Sequence, residues 1–162
     1  MKNIHLTLLT LLSFAVISCG GEEKKEKFTY QTQKQKNTSN SSNDAKTTPV
    51  DMDNQGIGPI KDFTFEDSVD QELANVGAGV FKAKCTACHK PDQKFIGPSM
   101  KNIYDRRNPT WVMNILLNPD QMLKEDPIAK ALLEEYNGVL MINQNLTEDE
   151  AKALAEYFRT IK

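Results

Sequence analysis

A chain of 162 residues has room for one domain with something left over, and 39% hydrophobic residues is low enough to expect a polar tail. With 20 basic and 22 acidic residues the formal net charge is −2, which excludes nucleic-acid binding by bulk charge.

Residues 1–18 read as an export signal. Lys2 supplies a positive start, and Leu6 to Ile17 form an apolar run too short to span a bilayer comfortably. The run ends Val16-Ile17-Ser18-Cys19-Gly20, which resembles a bacterial lipobox. That resemblance implies that Cys19 becomes a lipidated N-terminus and that the chain is anchored on the periplasmic side of a bacterial membrane. The plainer reading is a secretory signal that happens to contain a cysteine. Either way His5 lies in the removed segment and is no ligand.

Cys19 and the residues up to 55 form a polar, disordered tether. Lys, Glu, Gln, Asn, Ser and Thr dominate it, and so polar a stretch buries too little apolar surface to offset chain entropy. As a flexible coil it would span about 35 Å on average, and fully extended roughly 120 Å. It serves either as a leash between partners or as a spacer that clears the headgroups.

Residues 51–72 are acidic, with Asp51, Asp53, Asp62, Glu66, Asp67, Asp70 and Glu72 against the single base Lys61. Gly56-Ile57-Gly58-Pro59-Ile60 has no helical period and reads as extended or turning. Ile60, Phe63, Phe65 and Val69 are too apolar for open solvent, so residues 56–72 are expected to be an acidic arm lying along the folded domain. Docking on a partner is the alternative. The charge reads first as a solvated face and second as a device steering a basic partner.

From residue 73 to 162 the pattern is helical, with no good strand. The first helix covers roughly Asp70 to Lys84 and runs into Cys85-Thr86-Ala87-Cys88-His89. C-x-x-C-H reads as a c-type haem attachment site. Two cysteines three apart lie on one side of a helical turn, where each thiol can add to one vinyl group of a single haem. His89 then supplies an imidazole nitrogen to the iron. A structural zinc site wants four ligands, and only three lie here. A thioredoxin-like dithiol wants a βαβ pattern that is absent. A Cys85–Cys88 disulfide closes too small a loop to gain much.

Gly97-Pro98 follows a loop from Lys90 to Ile96. Asn108-Pro109-Thr110-Trp111 opens the next helix, whose Trp111, Ile115 and Leu116 share a face and which ends before Asn118-Pro119. Pro127 to Tyr136 forms another short helix with Ala129, Leu132 and Leu133 inward, then Asn137-Gly138 turns the chain. Thr147 caps a last helix with acids in its first turn. Leu154, Tyr157 and Phe158 form its apolar stripe over Ala151 to Ile161.

Gly77 and Phe81 ahead of Cys85, the haem motif, and Leu154 and Tyr157 on the last helix together resemble class I cytochromes c over residues 73–162. The resemblance implies an all-α fold of three to five helices wrapped around one covalent haem c, with Gly77 letting the terminal helices cross closely. It implies that Pro98 offers its carbonyl to the Nδ1–H of His89, which strengthens the imidazole as a donor to iron. It also places Trp111 against the haem with its indole N–H on a propionate, although a plain core tryptophan fits the pattern equally well. Arg106 and Arg107 are further propionate candidates, or simply solvated. Among the methionines, Met1 is removed and Met52 lies in the arm. Met100 is too close after His89 to pass around the haem edge, and Met113 and Met122 fit core packing. Met141 lies in a non-helical stretch shortly before Thr147, where the family places its distal ligand. Relatives often have proline beside that methionine, whereas Leu140 and Ile142 flank it here. Asn143, Gln144 or Asn145 can hydrogen-bond near the sulfur or a propionate.

Such a protein is a mono-haem electron carrier, filled at both axial positions and so not an enzyme. Its partners would be a quinol-oxidising complex upstream and a periplasmic reductase or terminal oxidase downstream. Residues 108–118, 126–130 and 141–147 look similar to small lipoprotein cytochromes that accompany nitrous-oxide respiration, which suggests nitrous-oxide reductase as acceptor. The alternatives are a haem sensor or enzyme with a displaceable sixth ligand, and a haem subunit of a larger respiratory complex.

Overall fold

The structure, a computed structural model, describes residues 47–162. The expected signal segment, Cys19 and the tether as far as residue 46 lie outside the described residues. Among the described residues there are five α-helices and no β-strand: α1 Gln71–Lys84, α2 Pro109–Leu117, α3 Pro119–Glu125, α4 Pro127–Glu135 and α5 Glu148–Arg159. The all-α fold expected from the sequence is therefore present.

Helix α1 starts where Asp70 Oδ1 accepts the Leu73 N–H at 2.9 Å, one of the first-turn donors that has no helical partner. Helix α5 starts with a full capping box. Thr147 Oγ1 accepts from Glu150 N at 3.1 Å, and Glu150 Oε2 accepts from Thr147 N at 3.0 Å. Glu150 also pairs with Lys84 at 3.0 Å, which ties the end of α1 to the start of α5. The two helices cross at Gly77, which has no room for a side chain: a Cβ there would overlap the Ala153 carbonyl and come 2.9 Å from Tyr157 Cβ. Phe81, Leu154 and Phe158 are buried at this crossing, and each contributes about 1.5–3 kcal/mol relative to exposure.

Helices α2, α3 and α4 each have proline at the first position, after Asn108, Asn118 and Asp126. Proline costs nothing there because its missing N–H would be unpaired anyway. Asn108 caps α2 by accepting from Thr110 N at 2.8 Å, and Asp126 caps α4 by accepting from Ala129 N at 2.8 Å. Asn118-Pro119, expected only to end α2, also begins α3. The shared core joins α2 to α5 through Val112, Met113, Leu116, Met122, Leu154 and Phe158.

Residues 48–68 form a strap along α2, α3, α4 and the end of α5. Residues 48–55, which composition assigns to the tether, are part of it. Thr48 N and Oγ1 donate to Glu135 Oε2 at 3.1 and 2.5 Å. Pro49 O accepts from Arg107 at 3.0 Å, and Met52 O from Asn108 at 2.9 Å. These attachments are polar, so a test that weighs apolar content alone does not register them. Further along, the buried Asn114 side chain stands in for a strand neighbour. Its Nδ2 donates to Gln55 O and Ile60 O at 3.0 and 2.9 Å, and its Oδ1 accepts from Ile60 N at 3.0 Å. Ile57, Ile60, Phe63 and Phe65 pack against the core, while Asp62, Glu66 and Asp67 are exposed. Arg159 closes the strap by donating to Glu66 O and Ser68 O at 2.9 and 3.0 Å and by lying 4.5 Å over the Phe65 ring.

Candidate functional site

The helical path of α1 continues into the cysteine motif. Cys85 N donates to Phe81 O at 2.9 Å, and Cys88 N and His89 N both donate to Cys85 O at 3.1 and 2.9 Å. This turn brings Cys85, Cys88 and His89 to one cavity whose walls are overwhelmingly apolar. Burial pushes the Cys85 thiol up to about 11, with the Lys84 ammonium pulling back and Cys88 adding to the rise. Cys88 is exposed at the mouth.

The imidazole of His89 is held from below. Its Nδ1 lies 2.9 Å from Pro98 O. A carbonyl can only accept, so Nδ1 is the donor of this bond and Nε2 is the ring nitrogen left for a metal. The loop that brings Pro98 there is closed by Gly97 N donating to Cys88 O at 2.8 Å, and by Met100 N and Lys101 N sharing Pro91 O at 3.0 and 2.8 Å. Gly97 is required by contact: a Cβ on it would lie 2.5 Å from His89 Cε1 and 2.9 Å from Nδ1. The sequence reading passed over Gly97, yet its place directly before Pro98 was the available signal.

Met141 lines the same cavity and is half-buried. Met113 and Met122 are fully buried in the core and do not line it. Met122 Sδ accepts from Ile57 N at 2.9 Å, which ties the strap to α3. Met100 is buried and lines the cavity on the His89 side of the sequence. Asn143 and Gln144 hydrogen-bond within their own turn, to Asn145 N and Ile142 O.

Trp111 lines the cavity, and of its two readings the plain core one fits, since its indole N–H is engaged inside the protein. It donates to Asp126 Oδ1 at 3.0 Å, wholly inside the protein. A buried N–H needs a partner, and the carboxylate that caps α4 is the nearer one. Nothing local marks this pair, because Asp126 reads as a helix cap and stands fifteen residues away. Arg106 and Arg107 also line the cavity, and neither is simply solvated. Arg106 donates to Lys101 O and Ser99 O, both at 2.6 Å. Arg107 is buried and lies 5.5 Å over the Trp111 ring. Burial pulls both guanidinium values down; Arg106 pulls Arg107 further, while Glu135 and Asp126 push it back up.

The donor set fits a covalently held haem: two thiols and an imidazole from one turn, and a thioether sulfur from a separate loop, all around one apolar cavity. A model of the family described as Cytochrome c matches residues 74–162. Cytochrome c-551 of Stutzerimonas stutzeri is 32% identical over 95 residues, covering 56% of this chain and 81% of that protein. Cytochrome c from Rhodothermus marinus is similar in structure, with a TM-score of 0.62 and 39% identity over 64% of this chain and 89% of that one. An engineered form of the same Rhodothermus protein gives a TM-score of 0.61 at 38% identity, over 64% of this chain and 90% of that one. The chain belongs to the cytochrome c family, whose members carry electrons on one covalent haem c, and Cys85 and Cys88 fit the family's C-x-x-C-H attachment motif.

Proposed function

We propose that this protein is a mono-haem electron carrier tethered by a lipid on Cys19 to the periplasmic side of a bacterial membrane. It takes electrons from a quinol-oxidising complex and delivers them to a periplasmic reductase or terminal oxidase. Nitrous-oxide reductase is the acceptor favoured by the likeness of residues 108–118, 126–130 and 141–147 to small lipoprotein cytochromes.

When bound, the haem supplies a one-electron couple. This chain's residues do the rest. Cys85 and Cys88 would hold the group covalently, and His89, braced by Pro98, would ligate its iron. Met141 would be the second protein ligand and would keep substrates off the metal. Apolar walls exclude water and favour a high potential. The observation that supports this reading best is the 2.9 Å Nδ1–Pro98 contact, which leaves Nε2 as a donor beside two thiols in an apolar cavity.

The test is the optical spectrum of the protein made with haem-attachment machinery. Low-spin bands and the weak far-red band of an iron–thioether bond are expected. Met141→Ala should lose the far-red band and bind carbon monoxide quickly. Met113→Ala should keep the band while losing about 2–5 kcal/mol of stability. A wild type that binds carbon monoxide as fast as Met141→Ala would overturn the carrier role in favour of a sensor. Membrane release after Cys19→Ser tests the anchor.

A further inference from the structure

Asp126 is a carboxylate almost wholly enclosed, 1% exposed, where strap, α2 and α4 meet. Three N–H groups converge on it: the Trp111 indole on Oδ1 at 3.0 Å, Ala129 N on Oδ1 at 2.8 Å, and Asn54 Nδ2 on Oδ2 at 2.8 Å. Trp111 is a wall of the haem cavity, whereas Asn54 lies outside the residues matched by the family model. A negative charge in low dielectric acts over a longer reach than one in water. Its effect depends on how completely its lone pairs are taken.

We propose that Asp126 is a positioning residue of the haem cavity, which orients Trp111 and sets the local potential, and that the strap controls it through Asn54. This rests on the carrier reading above. Asp126 orients Trp111 by accepting its only polar hydrogen. Asn54 neutralises part of the carboxylate's field and holds its second oxygen in place. The strap is thereby a working part of the cavity, so whatever displaces it is felt at the haem.

The two halves of the pair give opposite signs. A buried negative charge favours the oxidised, more positive haem. Asp126→Asn removes that charge and is expected to raise the reduction potential. Asn54→Ala leaves the charge with one donor fewer and is expected to lower it. The double variant Asn54→Asp/Asp126→Asn moves the charge one residue outward and should fall between the single variants.

The experiment uses the haem-loaded protein. Each variant is read by its reduction potential and by hydrogen exchange of the indole N–H. Trp111 is the sole tryptophan of the chain, so that signal is unambiguous. In Asn54→Ala the indole should exchange roughly threefold to tenfold faster, the change expected when one supporting hydrogen bond is lost. Should Asp126→Asn fail to fold, Asn54→Ala alone still decides. Its half-buried side chain does not line the cavity, and a potential and exchange rate equal to wild type would overturn the proposal. Potentials moving the same way in both single variants would also overturn it, because general loosening has no sign. A wild type with a normal low-spin spectrum beside unmoved variants would leave the carrier reading standing and this inference refuted. A wild type without covalent haem would overturn both.

Discussion

Gly77→Ala is the sharpest test of the helix crossing, because intrinsic propensity and packing pull in opposite directions. Alanine in place of a mid-helix glycine favours the helix by about 1 kcal/mol. Against that, the new Cβ overlaps the Ala153 carbonyl carbon and oxygen and comes 2.9 Å from Tyr157 Cβ. The obstacle is main chain, which cannot rotate away, so α1 and α5 must part by about 1.5 Å to reach ordinary contact. Such a gap forfeits a quarter or more of the contact energy of the atoms that line it. Phe81, Leu154, Tyr157 and Phe158 make this interface. At about 1.5–3 kcal/mol of burial each, a quarter of their sum is roughly 1.5–3 kcal/mol, and half is about twice that. After subtracting the helix gain from the half, Gly77→Ala should cost about 2–5 kcal/mol, or roughly 10 °C or more in Tm. The control is Gly79→Ala in the same helix, where a Cβ meets nothing within 4 Å; propensity alone should make that variant slightly more stable. Denaturant unfolding of the haem-loaded protein, followed by helical circular dichroism, measures both. Equal stability in the two variants would refute the account of the crossing.

At Gly97, alanine would press its Cβ against an imidazole already fixed by Pro98, so the ring must tilt and the Nδ1 contact lengthen. A changed low-spin spectrum and a faster loss of the axial bond at high temperature are expected, with the spectrum of Gly79→Ala unchanged. Glu135 offers a pH test. Burial works to raise its value, but the two hydrogen bonds from Thr48 and the charges of Lys94 and Arg107 outweigh it, leaving the carboxyl below its usual range. Lys94 lies 3.9 Å away. A depressed value means that the contact stabilises the fold above the ordinary glutamate range and loses that contribution as pH falls through the folded value. Protection of the Thr48 amide, its exchange rate relative to an unstructured amide at the same pH, should therefore fall on acidification below about pH 4, and Thr48→Val, which loses the hydroxyl bond but keeps the backbone one, should shrink the pH step. A Thr48 protection factor that ignores pH across this range in wild type would refute the contact.

The parts legible in the sequence share one property: their partners are close along the chain or repeat with a helical period. Leu154, Tyr157 and Phe158 on α5 form a stripe that a 3.6-residue period exposes, and Gly77 and Phe81 on α1 are legible through their offsets from Cys85 in the resemblance to class I cytochromes c. Thr147 and Glu150 announce a helix start by their own spacing. The support of His89 by Pro98, nine residues away, is legible through the family resemblance, since the residues alone mark only a turn at Gly97-Pro98. Helix α3 escaped because Asn118-Pro119 reads as a stop, although the same dipeptide step opens α2 at Asn108-Pro109. Proline after a capping residue ends one helix and begins another with equal ease. At seven residues, α3 is too short for its own period to settle the matter.

What stayed hidden is polar and long-range. Asn54 and Asp126 are 72 residues apart, and Thr48 and Glu135 are 87 apart. Either pair, taken singly, looks like surface composition. A buried hydrogen bond carries no periodic signature, because one asparagine in a polar stretch has no neighbour that must change with it. Its energetic consequence is nevertheless large, since removing one partner strands the other without solvent. This is why the propionate and plain-core readings of Trp111 stand level in the sequence: it displays an indole downstream of a haem motif but not the carboxylate that claims it. Residues 48–55 read as tether on the same grounds, whereas residues 56–68 pack on the domain as expected of the arm. Composition weighs chain entropy against apolar burial alone, but residues 48–55 are held by donors at Arg107, Asn108 and Asn114 and by acceptors at Asp126 and Glu135 that only the folded helices bring into reach. The haem cavity therefore has two halves. A locally encoded half comes from α1, the motif and Pro98. The other half, Trp111 and Arg107, is held by partners that the strap reaches or supplies: Asp126, which also accepts from Asn54, and the Pro49 carbonyl.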